Sequence, residues 1–261
     1  MSRIDLVIYF LIYSFIGWTC EVIYCSIPRG LFVNRGFLNG PICPIYGFGA
    51  VFIISFLSSF KDNIVELFLL AMLLTSILEY ITSVILEKLF NTKWWDYSNN
   101  KFNISGRVCL LNSTLFGLLS VILVHVVHPC IVNLIESIQV SYKVMFVYIV
   151  GIIFLIDMIF TLKGLISLQG KLKLLSSINI DFKNLNAKIK TSILESNGLR
   201  GKNKNFAIKE NMNFIHKKLR NKSFQEKRFL KAFPGMKHKI YNEQLIYFRE
   251  LLKEKRSKKK S

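Results

Sequence analysis

Three carboxylates stand where acids are expensive. Glu79 and Asp157 fall near the middle of long apolar stretches, and Glu21 lies toward the end of the first one. An acid in mid-membrane costs at least about 2.5–3.5 kcal/mol on insertion scales, so each needs a partner, a proton or water. Ser76, Glu79, Thr82 and Ser83 recur at helical offsets, with Glu87 a further turn on, and so form one polar stripe. A stripe of this kind faces a bundle interior. It either lines a polar cavity or proton-linked site, or joins helices through hydrogen bonds of a neutral Glu79.

The elements that must carry these acids are apolar helices. The chain has 261 residues, of which 52% are hydrophobic, and its mean hydropathy is +0.38. That balance suits a bundle in lipid better than a water-soluble domain. Five stretches read as spans: Leu6–Tyr24, Ile42–Phe60, Ile64–Leu86, Val108–Val132 and Val144–Leu168. The second opens with Pro44, Gly47 and Gly49, so only Phe48–Phe60 is an uninterrupted helix candidate. The first run is too long, and lacks a small-residue cleavage site, for a removable signal peptide. The expected fold is therefore all-α: a polytopic bundle over residues 1–168, followed by a basic, amphipathic-helical tail over 169–261.

Charge fixes an orientation. Residues 169–261 hold 25 Lys/Arg against 7 Asp/Glu, whereas residues 1–168 hold 10 against 9. Basic loops and tails stay on the cytosolic side. Five spans with the tail inside place Arg29, Arg35, Lys88, Lys93, Lys101 and Arg107 inside, and Lys61 and Lys143 outside. If the second stretch only dips into the bilayer, residues 28–43 move to the outer face while 87–107 stay inside.

Both inner loops are unusual. Residues 28–47 are apolar yet broken by Pro28, Pro41 and Pro44, and proline cannot propagate a helix. Apolar, non-helical backbone at membrane depth survives only when packed in protein or lining a wet cavity. The expectation is a folded loop, re-entrant or interfacial, leading into a short helix. Residues 87–107 carry Trp94 and Trp95 beside Asp96 and Tyr97. The rings fit a headgroup-level aromatic belt. Arg107 opens the fourth helix, and an ion pair to Asp96, or next to Glu21, is expected.

Other chemistry finds little support. Cys20, Cys25, Cys43, Cys109 and Cys130 lack metal-ligand spacing and read as small buried residues. His125 and His128 share a face before Pro129, but further ligands are missing, so no metal or other cofactor is expected. Gly164–Lys171 has the wrong spacing for a phosphate loop. No catalytic constellation is convincing, so the chain is not expected to be an enzyme. In the tail, Phe182, Leu185, Ile189 and Ile193 fit one helical face, Ile215 and Leu219 with a later Phe229-Leu230 another, and, after a break at Pro234-Gly235, Leu245, Phe248 and Leu252 a third, with a basic end at Lys253–Lys260. Docking on the anionic inner leaflet explains that charge, at about 1 kcal/mol per basic residue near the surface. Nucleic acid is not expected.

The run from Asn34 to Gly47 (Asn-Arg-Gly-Phe-Leu-Asn-Gly-Pro-Ile-Cys-Pro-Ile-Tyr-Gly), with Glu79-Tyr80, Trp94-Trp-Asp-Tyr-Ser98, Phe102-Asn103 and Gly106-Arg107, resembles the bacterial ABC-transporter type IV (CmpB-like) membrane proteins. The resemblance covers roughly residues 5–165. It implies an integral membrane protein of permease type and carries over no substrate and no catalytic residue. Glu21, Asn34, Arg35, Glu79, Asp96, Arg107 and Asp157 form the candidate polar or transport site. Five spans are few for a permease, so a homo-oligomer, or a separate ATPase subunit, is implied. The rival expectation is a membrane scaffold or regulator that recruits a cytosolic partner through its tail.

Overall fold

The computed structural model describes residues 2–195, 224–246 and 249. The expected faces at Ile215 and Leu219, Phe248 and Leu252, and the basic end Lys253–Lys260, lie outside the described residues. The fold is mostly helix, with short strand pairs as the exception to an all-α reading.

Helix α1 (Arg3–Ser26) starts with a capping box: Ser2 Oγ accepts from Asp5 N, and Asp5 accepts from Ser2 N. It stops ahead of Pro28, which cannot extend it. Helix α2 (Pro44–Leu57) begins at a proline, whose missing N–H is harmless at a first turn. Helix α3 (Ile64–Phe90) is capped by Asn63 and ends on Asn91 in the left-handed region, φ 47°. Helix α4 (Leu110–Ile122) passes through a π-turn at Leu123–Val127 into α5 (His128–Glu136). Pro129 explains the π-turn, because its ring clashes with the carbonyl four residues back. Helix α6 runs Val140–Glu195, and α7 covers Phe224–Ala232.

Among the described residues, four helices are long and apolar enough to cross a membrane: Arg3–Ser26, Ile64–Phe90, Leu110–Glu136 and Val140–Ser177. Pro44–Phe60 is a shorter apolar helix. The molecule is a membrane protein with this bundle as its core.

The described residues fall into two compact units. One unit holds Met1–Leu162 with Phe229–Lys237, and the other holds the remaining described residues from Lys163 onward. In the first unit, α1 and α2 pack tightly because two glycines let them. A Cβ on Gly47 would sit 2.1 Å from Ser14 Oγ, and one on Gly17 would sit 2.2 Å from Tyr46 Cγ. Ile8, Tyr9 and Tyr13 of α1 then bury against Ala50 and Ile54 of α2 and Ile131 and Ile135 of α5. Tyr13 Oη and His128 Nδ1 share a hydrogen bond of 2.8 Å. In the second unit, Glu226 is fully buried and bonded to Lys171 (2.8 Å) and Ser167 (3.0 Å).

The cysteine expectation holds for Cys109 alone: Cys25 and Cys43 are half-buried, while Cys20 and Cys130 are exposed. Both sit on bundle helices, where an exposed face meets lipid, so apolar character does not require burial in protein.

Candidate functional site

The first loop is a folded object whose centre is Asp157. Val33 and Leu38 are buried within it. Asn34 organises its near half: Oδ1 accepts from Trp18 Nε1 (2.8 Å) and Gly36 N (3.0 Å), and Nδ2 donates to Asn39 O (2.7 Å). Its far half closes on α6. Asp157 Oδ1 accepts from Asn39 N (3.1 Å), Asn39 Nδ2 (2.6 Å) and Thr161 Oγ1 (3.3 Å), while Oδ2 accepts from Gly40 N (2.7 Å). A Cβ on Gly40 would lie 3.2 Å from that oxygen, so glycine allows the approach. Asp157 ties a non-helical apolar segment to a membrane helix. Its role in the structure is to hold the loop.

The second loop turns on a hairpin, Asn103–Ile104 against Val108–Cys109. The connection needs Ser105 at φ 54° and Gly106 at φ 67°, and a Cβ on Gly106 would lie 2.6 Å from Asp96 Oδ1. Asp96 caps its own turn, accepting from Ser98 N (3.1 Å) and Ser98 Oγ (2.5 Å), and meets Lys237 at 2.6 Å. The Lys237 ammonium, and then the Ser98 hydroxyl, hold its carboxyl well below the usual range.

The ion pair expected between Arg107 and Asp96 or Glu21 is made elsewhere. Arg107 Nη2 meets Glu87 Oε2 at 2.6 Å, with Glu87 buried at 3% and the guanidinium over the Tyr80 ring at 5.5 Å. The hairpin aims Arg107 at α3, and Trp95 Nε1 fixes it by donating to its carbonyl at 2.9 Å. Nor is Trp94 part of an interfacial belt. It is 3% exposed, packed between Phe37 (5.4 Å), Phe229 (5.7 Å) and Phe233 (4.9 Å).

Glu21 and Glu79 share one polar cluster. Tyr46 Oη donates to Glu21 Oε1 at 2.7 Å, and Arg35 Nε stands 3.7 Å from Oε2. Tyr97 Oη donates to Glu79 Oε1 at 3.2 Å, and Asn112 is within hydrogen-bonding reach of that tyrosine. Burial pushes the Tyr97 hydroxyl upward, so it stays a neutral donor. Glu79 is 6% exposed, and its Oε2 has no hydrogen-bond partner among the described residues. Ser76, further along the stripe, bonds Ser113 of α4 at 2.7 Å, and Ser83 is buried.

Of the seven residues picked from sequence, Glu21, Arg35 and Glu79 therefore meet around the tyrosines. Asn34 and Asp157 shape the first loop, and Asp96 and Arg107 brace the second. Sequence reasoning missed Tyr46 and Tyr97, although each lies inside a motif already singled out. Phe229 was read only as part of an amphipathic tail face, and its packing with Phe233 against the second loop was not foreseen. No group of three or more potential metal-ligating side chains occurs among the described residues.

The family described as putative ABC-transporter type IV matches residues 8–162, more than half of the chain. That range contains every residue of the cluster and both loops. No curated protein and no solved structure matches this sequence.

Proposed function

This chain belongs to the putative ABC-transporter type IV family, and we propose that it is a permease-like subunit working around the Glu21–Tyr46–Tyr97–Glu79 cluster. One observation carries the reading: Glu79 Oε2 is buried in a bundle of membrane helices and has no hydrogen-bond partner among the described residues. Leaving a buried acceptor bare costs about 1–3 kcal/mol, more if it is charged. Ser14 Oγ and Asn39 Oδ1 are also buried without a partner among the described residues, but they are neutral; of the acids Glu79, Glu87 and Asp157, Glu79 alone keeps a bare oxygen. A proton or a transported cation would complete it.

The proposed topology is five crossings in the cell membrane with the tail cytosolic. Contact between the loops supports it: the Phe37 ring lies 6.4 Å from Phe90 and 5.4 Å from Trp94. A second segment that dipped in and out would set those loops on opposite faces. Pro44–Phe60 spans about 26 Å as a helix, a little under the hydrocarbon thickness of about 30 Å. The folded loop before Pro44 makes up the difference. ATP hydrolysis falls to a separate subunit, since no phosphate loop is recognisable, and a homo-oligomer would supply further helices. The basic tail lies against anionic lipid.

Two experiments test this. Purification in mild detergent should recover a partner chain bearing a nucleotide-binding loop; recovery of this chain alone, in every detergent that keeps it folded, sinks the ABC reading. Single cysteines at Phe32 and Phe102, both exposed, should react with an impermeant maleimide only after cells are opened. Labelling of Phe32→Cys in intact cells would replace five crossings with four.

The scaffold reading draws on a different observation, the net charge of +18 over residues 169–261. Replacing the basic residues of Lys253–Lys260 with Gln separates the two. A permease keeps its phenotype, and a scaffold that recruits through charge loses it.

A further inference from the structure

The segment that joins the first unit from the far end of the chain, Phe229–Lys237, is held by both loops at once. Phe229 is fully buried, and Phe233 sets its ring against Trp94. Lys231 Nζ donates to Phe32 O of the first loop at 2.9 Å, and Lys237 pairs with Asp96 of the second at 2.6 Å. Arg35 carries the most informative contacts. Its Nη1 donates to Ala232 O, and its guanidinium lies 4.9 Å from the centre of the Phe233 ring. The same guanidinium reaches Glu21 only through Nε, at the long distance of 3.7 Å.

We propose that Phe229–Lys237 is a built-in ligand of a receptor made by the two loops, and that its seating sets the Arg35–Glu21 pair. While the segment is seated, Arg35 is shared with Ala232 O and the Phe233 ring and gives Glu21 only a long contact. When the segment leaves, Arg35 loses a carbonyl acceptor and an aromatic face. Its planar fork then turns to the carboxylate it already touches, where a bidentate pair is the strong geometry. Glu21 is neutralised, and the cluster draws a cation less strongly. Arg35 is a positioning residue in this scheme, and α7, which enters the first unit at Phe229, is the element that conveys the signal.

The inference rests on the cluster being the working site, but it can be tested without transport. Cys43 immediately precedes α2, at the end of the loop that carries Arg35, and its N–H donates to Ser14 O at 3.0 Å. A protein keeping Cys43 as its sole cysteine, in lipid nanodiscs, is alkylated with iodoacetamide. Unseating the segment frees the loop around Leu38 and Cys43, so Phe233→Ala should speed alkylation about tenfold. Where that variant fails to fold, Lys231→Glu with Lys237→Glu serves instead, because both lysines are exposed. The pair should raise the rate about fivefold, and adding Asp96→Asn, which removes the repulsion but keeps the turn, should bring it back down. Phe224→Ala, at an exposed position outside the segment, should leave it unchanged. A rate that the charge reversal leaves within twofold of the parent overturns the proposal, as does a rise that Asp96→Asn fails to reverse. Either result leaves the permease reading standing, and a failed search for an ATPase leaves this measurement valid.

Discussion

Asp157 and Glu79 are both acids in membrane helices, and the chain treats them in opposite ways. Asp157 is surrounded by donors, two of them backbone N–H groups of the first loop, so the acid is what lets that loop exist at membrane depth. Glu79 receives one tyrosine hydroxyl and keeps a bare oxygen. A saturated carboxylate has no capacity for a ligand; an unsaturated one has. Burial alone therefore does not distinguish the two acids, and a count of donors does.

The largest effect expected from that contrast is on folding. Asp157→Ala removes the acceptor of Asn39 N, Asn39 Nδ2 and Gly40 N, stranding donors worth about 1–3 kcal/mol each. A loss of roughly 5 kcal/mol should abolish folded protein on size-exclusion chromatography in detergent. Asp157→Asn should fare little better, because its amide NH₂ would face donors. A well-folded Asp157→Ala would break the comparison at its stronger end.

Next comes Glu87, two turns along α3 from Glu79 and satisfied by Arg107. Arg107→Ala leaves a buried carboxylate alone, a cost of about 3–5 kcal/mol. The double variant Arg107→Gln with Glu87→Gln should recover most of the lost thermal stability. If it melts as low as Arg107→Ala, the pair contributes nothing and Glu87 belongs with Glu79.

Glu79→Gln should change stability by less than about 1.5 kcal/mol, since the amide keeps the shape and still accepts from Tyr97. Its consequence should fall on function: inserted and folded, but inactive in a transport assay reconstituted with the proposed ATPase subunit. Full activity in a stable Gln variant would reduce Glu79 to packing.

The sequence made some of this contrast legible and hid the rest for identifiable reasons. Helical periodicity located Glu79 and its stripe, and the proline spacing marked α2 as short. Loop motifs named Asn34, Arg35 and Asp96. What spacing could not supply was the direction of Arg107, because the hairpin that turns it depends on two left-handed residues, Ser105 and Gly106. Nor could it match Asp157 with Asn39 and Gly40, which lie more than a hundred positions away in the chain. Trp94 was misjudged for the same reason: its partners Phe229 and Phe233 come from the tail. Long-range pairing decides each of these, and local propensity is silent about it.

The smallest effect concerns Asp96, an acid at the protein surface whose paired lysine is 60% exposed. Lys237 and Ser98 hold its carboxyl below the unfolded value of 3.8. A carboxylate depressed on folding contributes stability above its unfolded pKa and loses it as pH falls through the folded one. Seating of Phe229–Lys237 should therefore be flat from pH 8 to about pH 5 and weaken only below about pH 4. Solvent screening keeps the pair's contribution under about 1 kcal/mol, so the shift is small. Emission from Trp94, with Trp18→Phe and Trp95→Phe in place, should move to longer wavelength over that acid range. The same titration on Asp96→Asn should lose the transition. If the Asn variant titrates like the parent, another group governs seating, and Asp96 is no more than the cap of its own turn.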